Sequence, residues 1–194
     1  IPVSLINYMD VYRNRKINTS IKFQKVTVTQ KEIKSSSLKK GDILFTPSSE
    51  TPDDIGNSAV IFENIPNAVH SYHTVRYRLK DPELLHINFR EFCLNNEIVL
   101  KQFYRYATGS TRFTLNLTDF ANTKIFFPKS ILEQKKIAFI LSSVDDLIEK
   151  TQSQINKLQD LKKGTMNELL TKGIGHTEFK ESELGRIPKS WEIK

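Results

Sequence analysis

PKSILEQKKIAFILSSVDDLIEKTQSQINKLQDLKKGTMNELLT, residues 128–171, decides the architecture. No Pro interrupts it after Pro128, and its only Gly is Gly164. Apolar residues recur at alternating steps of three and four: Ile137, Ile140, Val144, Leu147, then Leu158 and Leu161. A flanking row of Leu141, Ile148, Ile155 and Leu169 widens the stripe. This is the seam of a coiled coil, an a/d pattern with e positions added. Thr151 and Gln154 put polar groups into the seam, where such residues set register and partner choice at some cost in stability. Ser130, with Glu133 three residues on, predicts a capping box at the start. About 40 residues at 1.5 Å each make a rod of roughly 60 Å. A domain of ordinary size cannot cover so long a stripe, and the chain holds no second long helix. The partner is therefore a second copy or another protein. A core helix inside one globular domain is the alternative, but the pattern exceeds the ordinary helix length.

Working outward, the 194 residues suffice for one domain plus an extension. Hydrophobic content of 38% with 26% charged residues places the chain among folded proteins rather than disordered ones. A lone Cys93 rules out a disulfide framework and a cysteine-based zinc site, which fits a reducing compartment, and the expected location is the cytoplasm. No apolar run reaches membrane-span length and no signal peptide is visible. The chain opens on Ile1 rather than Met, which implies a short preceding piece. Net charge is +7, and residues 1–128 carry most of it, with 17 basic against 12 acidic side chains. That balance leans toward a polyanionic partner.

Before the rod, residues 1–30 read as β structure around a polar turn at 13–19. Lys39-Lys40-Gly41-Asp42 turns into a short strand over 43–45, and a Pro-, Ser- and Asp-rich loop follows. SAVIFE and VHSYHTVRYRL read as strands, the second with Val75, Tyr77 and Leu79 alternating against Arg76 and Arg78. From Asp81 to Ala107 the spacing is helical, and KIFFP (124–128) reads as a last strand. The expectation is an α/β (α+β) domain over 1–128, a spacer helix over 129–172 and an extended arm over 173–194 that docks through Trp191 on a partner's domain.

Catalytic constellations are missing. There is no glycine-rich nucleotide turn and no phosphate loop. Nor is there an Asp-Pro-Pro-Tyr type element of amino-methyltransferases; Asp81-Pro82-Glu83 is a turn. His70, His73, His86 and His176 lack metal-ligand spacing, and Asp53-Asp54 and Asp145-Asp146 point neighbouring carboxylates in different directions. The reading is of a non-enzyme that holds no metal or cofactor. What remains is a set of polar loops suited to DNA: Thr46, Ser48, Ser49 and Glu50; Ser71, Tyr72 and His73; Gly109, Ser110, Thr111 and Arg112. Hydroxyls and amides serve phosphate oxygens, Arg serves phosphate or guanine, and acids accept from cytosine N4. Each cluster alone is also what an ordinary solvated loop looks like.

The order of pieces resembles the DNA-specificity (S) subunit of type I restriction–modification systems, or one half of it. The marks are Leu38-Lys39-Lys40-Gly41-Asp42-Ile43-Leu44, Ala107-Thr108-Gly109-Ser110-Thr111, and the helix opening Leu132-Glu133-Gln134-Lys135-Lys136-Ile137-Ala138. The tail Gly185-Arg186-Ile187-Pro188-Lys189-Ser190-Trp191 looks like the start of another such unit. One unit stands here where a complete subunit carries two, so the chain is a natural half-subunit or a truncated one. At the helix entry, Phe126-Phe127-Pro128-Lys129 replaces the more Pro-rich run usual for the family. The resemblance implies a protein that binds double-stranded DNA and supplies sequence specificity to others. Modification (methyltransferase) subunits would bring S-adenosylmethionine, and a restriction subunit would bring ATP and Mg. The helices would fix the spacing of two recognition domains on a bipartite target, since a rod of roughly 60 Å spans one to two turns of B-DNA. For a lone unit the expectation is a homodimer through antiparallel helices. The competing readings are a structural coiled-coil adaptor with a basic domain, and an unrecognised nuclease or methyltransferase.

Overall fold

The computed structural model describes residues 1–193. In chain order the elements are β1 (Pro2–Ile6), α1 (Tyr8–Arg13), β2 (Lys16–Ile17), β3 (Gln24–Thr27), α2 (Gln30–Ser36), β4 (Ile43–Phe45), β5 (Ser48–Ser49), β6 (Ser58–Ile61), β7 (Ala68–His70), β8 (Val75–Tyr77), α3 (Ile87–Leu94), α4 (Glu97–Tyr106), β9 (Phe113–Thr114), α5 (Leu117–Asn122), α6 (Ile131–Lys172), β10 (Phe179–Ser182) and β11 (Gly185–Pro188). They form two compact units, Ile1–Leu141 and Ser142–Lys194, so the division falls inside α6.

The first unit is an α/β fold around a four-stranded sheet of order β2-β6-β4-β8. Successive side chains in a strand face opposite ways. Ile43, Phe45 and Val60 accordingly enter one core with Leu94, Val99, Phe103 and Leu115. Leu44, Ala59 and Ile61 enter a second core on the other face, with Ile6, Val11, Ile17 and Ala68. With both faces covered, β4 and β6 read as continuous apolar runs instead of alternating ones. A second sheet, β3-β1-β7, runs β1 antiparallel to β3 and parallel to β7.

The Lys-Lys-Gly-Asp turn locks these layers. The buried Asp42 carboxylate accepts from the Lys39 amide at 2.8 Å and, with both oxygens, from the Nε and Nη2 of one edge of the Arg78 guanidinium. Buried Arg90 donates to the carbonyls of Leu85, Gly41 and Pro82, a neutral cage for its charge.

Several sequence expectations change. Residues 1–30 hold three strands, β1, β2 and β3, but also α1, and α2 begins at the end of the stretch. Both helices are short and start with reciprocal caps, Asn7 with Asp10 and Thr29 with Glu32. The stretch 71–74 is a turn that divides the expected long strand into β7 and β8. The helical region 81–107 breaks at Asn95-Asn96, where the Asn96 side chain caps α4 by accepting from the amides of Ile98 and Val99. KIFFP is no strand: Ile125 and Phe127 pack against the third core, and no ladder is available to the backbone there.

α6 starts as predicted at Ile131, with the Ser130 hydroxyl accepting from the Glu133 amide at 3.4 Å. Its opening turns belong to the first unit. Gln134 is 0% exposed: its carbonyl oxygen accepts from the His86 amide at 2.7 Å, and its amide donates to Leu84 and Pro128 carbonyls. Ala138, four residues on and 1% exposed, closes a core with Leu85, Phe89 and Cys93. Burial pushes the Cys93 thiol up to about 11, so it stays protonated. Ile137, assigned from sequence to a partner-facing seam, packs half-buried on this core instead. Ile140, Leu141, Val144, Leu147, Ile148, Ile155, Leu158 and Leu161 are exposed. Thr151 turns its hydroxyl back onto the Leu147 carbonyl at 2.8 Å.

The second unit carries the rest of α6, which Gly173 ends at φ +68 with its amide on the Leu169 carbonyl. The tail beyond Gly173 is not an extended arm. β10 and β11 pair as an antiparallel hairpin, and Trp191 packs edge-on to His176 within the same unit.

Candidate nucleic-acid interface

The strand register brings the polar loops together. In the four-stranded sheet Phe45 lies opposite both Ser58 and Val75. The segment leaving β4 (46–50), the segment entering β6 (53–57) and the turn entering β8 (71–74) therefore sit at one end of that sheet. β5 pairs with β9, Ser48 opposite Thr114 and Ser49 opposite Phe113, which delivers the loop 109–112 to the same place. The parallel pairing of β1 with β7 adds the first turn of α1, for the Ser71 amide donates to the Ile6 carbonyl at 2.9 Å.

Within this end, some predicted residues support and others present. Thr46, Ser48, Ser49 and Ser71 are buried, not exposed as their composition suggests. The reason is that their polar groups are consumed by the loops themselves. Thr46 bonds the Asn57 carbonyl through its amide, and Ser49 Oγ accepts from the Thr51 amide. Ser71 Oγ accepts from the His73 amide at 3.2 Å. Ser48 Oγ accepts from Arg112, from Nη2 at 3.0 Å and Nε at 3.3 Å. Glu50, Tyr72, His73, Gly109, Ser110, Thr111 and Arg112 are exposed.

The 109–112 loop is closed by two backbone hydrogen bonds between Thr108 and Thr114. Gly109 has φ +146, and a Cβ there would run into the Arg112 carbonyl. The tightness of the Gly-Ser-Thr turn thus depends on glycine. Arg112 keeps N–H donors beyond the two that Ser48 holds, in a fixed plane suited to two acceptor atoms side by side.

Sequence reasoning missed four residues here. Tyr8 donates to the Ser48 carbonyl at 2.8 Å and stacks on Tyr12, with ring centroids 6.0 Å apart. Tyr12 in turn donates to Asp54 at 2.8 Å, and Asn57 donates to the other Asp54 oxygen. Burial first, then the Asp54 charge, holds the Tyr8 phenol above its usual range, so it remains a donor. The signal was the i, i+4 spacing of Tyr8 and Tyr12 behind an Asn-x-x-Asp cap. Among the described residues no group of three or more His, Cys, Asp or Glu could hold a metal ion.

The family model for the type I restriction modification DNA specificity domain matches residues 6–160. The chain is 35% identical over 172 residues to the type I restriction enzyme MjaX specificity subunit of Methanocaldococcus jannaschii, covering 86% of this chain and 39% of the relative. Over 75 residues it is 49% identical to the MjaVIII specificity subunit of the same organism, 38% of this chain and 17% of that one. The chain thus spans less than half the length of these curated relatives. The crystal structure of a type I restriction-modification S subunit from M. genitalium shares the fold, with a TM-score of 0.52 at 20% identity over 81% of this chain and 38% of that one. With most of its length matched, this chain belongs to the type I restriction modification DNA specificity domain family.

Proposed function

We propose that the chain is a sequence-specific DNA-binding specificity subunit, or one unit of it, that directs modification and restriction subunits to a bipartite target. One observation carries this reading: in a member of the specificity family, Glu50, Tyr72, His73 and the 109–112 loop converge on one end of one sheet. In this role the chain is non-catalytic. S-adenosylmethionine, ATP and Mg belong to the partner subunits, and the complex works in the cytoplasm. Among the described residues no helix is long and apolar enough to cross a membrane.

The exposed stripe of α6 supports a second part of the reading. Covering each large apolar side chain is worth about 1.5–3 kcal/mol, enough in sum to offset the cost of association. Two copies paired through antiparallel helices bury the stripe, and the β10–β11 hairpin of each then meets its partner's recognition unit. Such a pair presents two identical readers, so its target is an inverted repeat.

The test is methylation mapping of DNA exposed to the chain with a modification subunit and S-adenosylmethionine. Methylation confined to a spaced inverted repeat supports the reading. Methyl transfer by the chain alone, or no sequence preference, overturns it.

A further inference from the structure

The turn between β7 and β8 is built more firmly than a solvent loop requires. Ser71 and Thr74 are buried, and the Ser71 carbonyl accepts from the Thr74 amide at 3.0 Å and its hydroxyl at 2.8 Å. The His73 amide donates to Ser71 Oγ, and His70 Nδ1 lies 3.0 Å from the Ser71 carbonyl and 3.1 Å from Thr74 Oγ1. Burial pulls the His70 imidazole below its usual range, so this support is a neutral hydrogen-bonding ring. From this base Tyr72 projects with 89% of its surface exposed, the most exposed of the large hydrophobic side chains. Its one aromatic neighbour is the His73 ring, centroid 3.8 Å away. The Tyr72 hydroxyl makes no hydrogen bond among the described residues.

A singly exposed aromatic is ordinary on a mobile loop and needs no explanation. On a turn already ordered it differs, because little conformational entropy remains to be lost when the ring meets a ligand. The class of ligand is set by the surroundings. The exposed side chains of this turn and of the loops at the same sheet end are mostly polar: His73, Glu50, Thr51, Asp53, Ser110, Thr111 and Arg112, with Pro52 beside them and Met9 and Tyr12 on α1. Beside Tyr72 the exposed apolar groups are Pro52, Met9 at 40% and Tyr12 at 42% with its hydroxyl held by Asp54, less than the apolar core that docking of a protein uses. Duplex DNA offers a flat apolar surface that is hidden until a wedge opens it: the face of a base pair at an unstacked step.

Resting on the DNA-binding reading above, we infer that Tyr72 is a wedge that enters a base step of the target duplex, unstacks it and bends the DNA, with His73 backing the ring. The inserted ring then contributes stacking and shape-dependent readout, favouring easily unstacked pyrimidine–purine steps.

The experiment places 2-aminopurine, one position at a time, through the mapped target and adds the chain with its modification subunit. Besides the Tyr72-independent rise at the methylated base, which the modification subunit flips out, fluorescence should rise at one further step, fall back there in Tyr72→Ala and persist in Tyr72→Phe. Tyr72→Ala should also weaken binding roughly 5- to 150-fold and lengthen the end-to-end distance of a dye-labelled duplex. Away from that methylated base, sequence-selective binding with no fluorescence change at any position, or with a change that survives Tyr72→Ala, overturns the wedge and leaves the DNA-binding reading standing. Loss of the modification subunit from Tyr72→Ala with DNA binding intact overturns it in favour of a protein contact. Absence of sequence-selective binding by the unmutated complex removes both readings.

Discussion

The opening turns of α6 and the remainder of the same helix reverse the usual association of polarity with exposure. Gln134, a polar residue, is 0% exposed, whereas Leu147 and Ile148 are 65% and 61% exposed. Side-chain chemistry alone does not account for this. Gln134 finds an amide and two carbonyls of its own chain that need partners, and Ala138 is small enough to let the helix approach α3. Farther along, no described element covers the apolar stripe. Burial depends on what a face is offered, and the second region awaits something that the first already has.

The largest expected effect comes from breaking the exposed side of this comparison. Val144→Asp combined with Ile148→Asp places charges in the seam and removes about 3–6 kcal/mol of apolar burial per copy. Sedimentation should then show monomers where the unmutated chain is expected as the proposed dimer at micromolar concentration, with the melting of the first unit unchanged. A monomeric unmutated chain would refute the pairing.

Next is the covered side. Gln134→Ala leaves the His86 amide and the Leu84 and Pro128 carbonyls without their partner, at a cost of about 2–4 kcal/mol. Thermal melting should drop while self-association persists. Equal losses of association from both variants would erase the distinction between the two regions.

Smaller is the effect of Arg112→Ala, which takes the donors from the Ser48 hydroxyl and so lowers melting slightly, and should weaken DNA binding by about 1–3 kcal/mol. Relaxed choice at one base position identifies a guanine contact; an even loss across sequences identifies a phosphate. Unchanged binding would take Arg112 out of the interface.

The smallest effect concerns acid. His70 is held below its usual value first by burial, and His86 likewise by burial, then by Lys135 and Arg90. The unfolded chain therefore takes up protons more readily below about pH 6.5, and stability falls as pH drops through that range. Melting curves at pH 7 and pH 5.5 should differ for the unmutated chain and differ less for a His70→Asn, His86→Asn variant. A larger pH dependence in the variant would reverse the assignment.

The legible parts of the sequence were those where one physical demand dominates. The α6 stripe, β4, β6 and β8 all reflect apolar periodicity, and their bounds lie close to the expected ones. The helices α1 and α2 were hidden because Val and Ile in the same stretch favour strands, while the evidence for helix lay only in two caps. Four of the candidate interface residues were misjudged in exposure because Thr46, Ser48, Ser49 and Ser71 have the composition of surface loops. The Ser49 and Ser71 hydroxyls accept from amides two residues on, and that of Ser48 from Arg112, which only the ladder of β5 with β9 brings within reach. Tyr8, which lies 40 residues before Ser48, could not be joined to it from sequence.

The two backbone bonds that close the 109–112 loop also bear on how such a protein changes over generations. Ser110 and Thr111 are exposed, and the loop is shut by Thr108 and Thr114 with Gly109 supplying the bend. Substitutions at these two tip positions therefore alter what is displayed without touching what keeps the domain folded. On the proposed DNA-binding reading, a chain built this way drifts to a new target through single replacements, each one viable as a fold, provided the glycine stays.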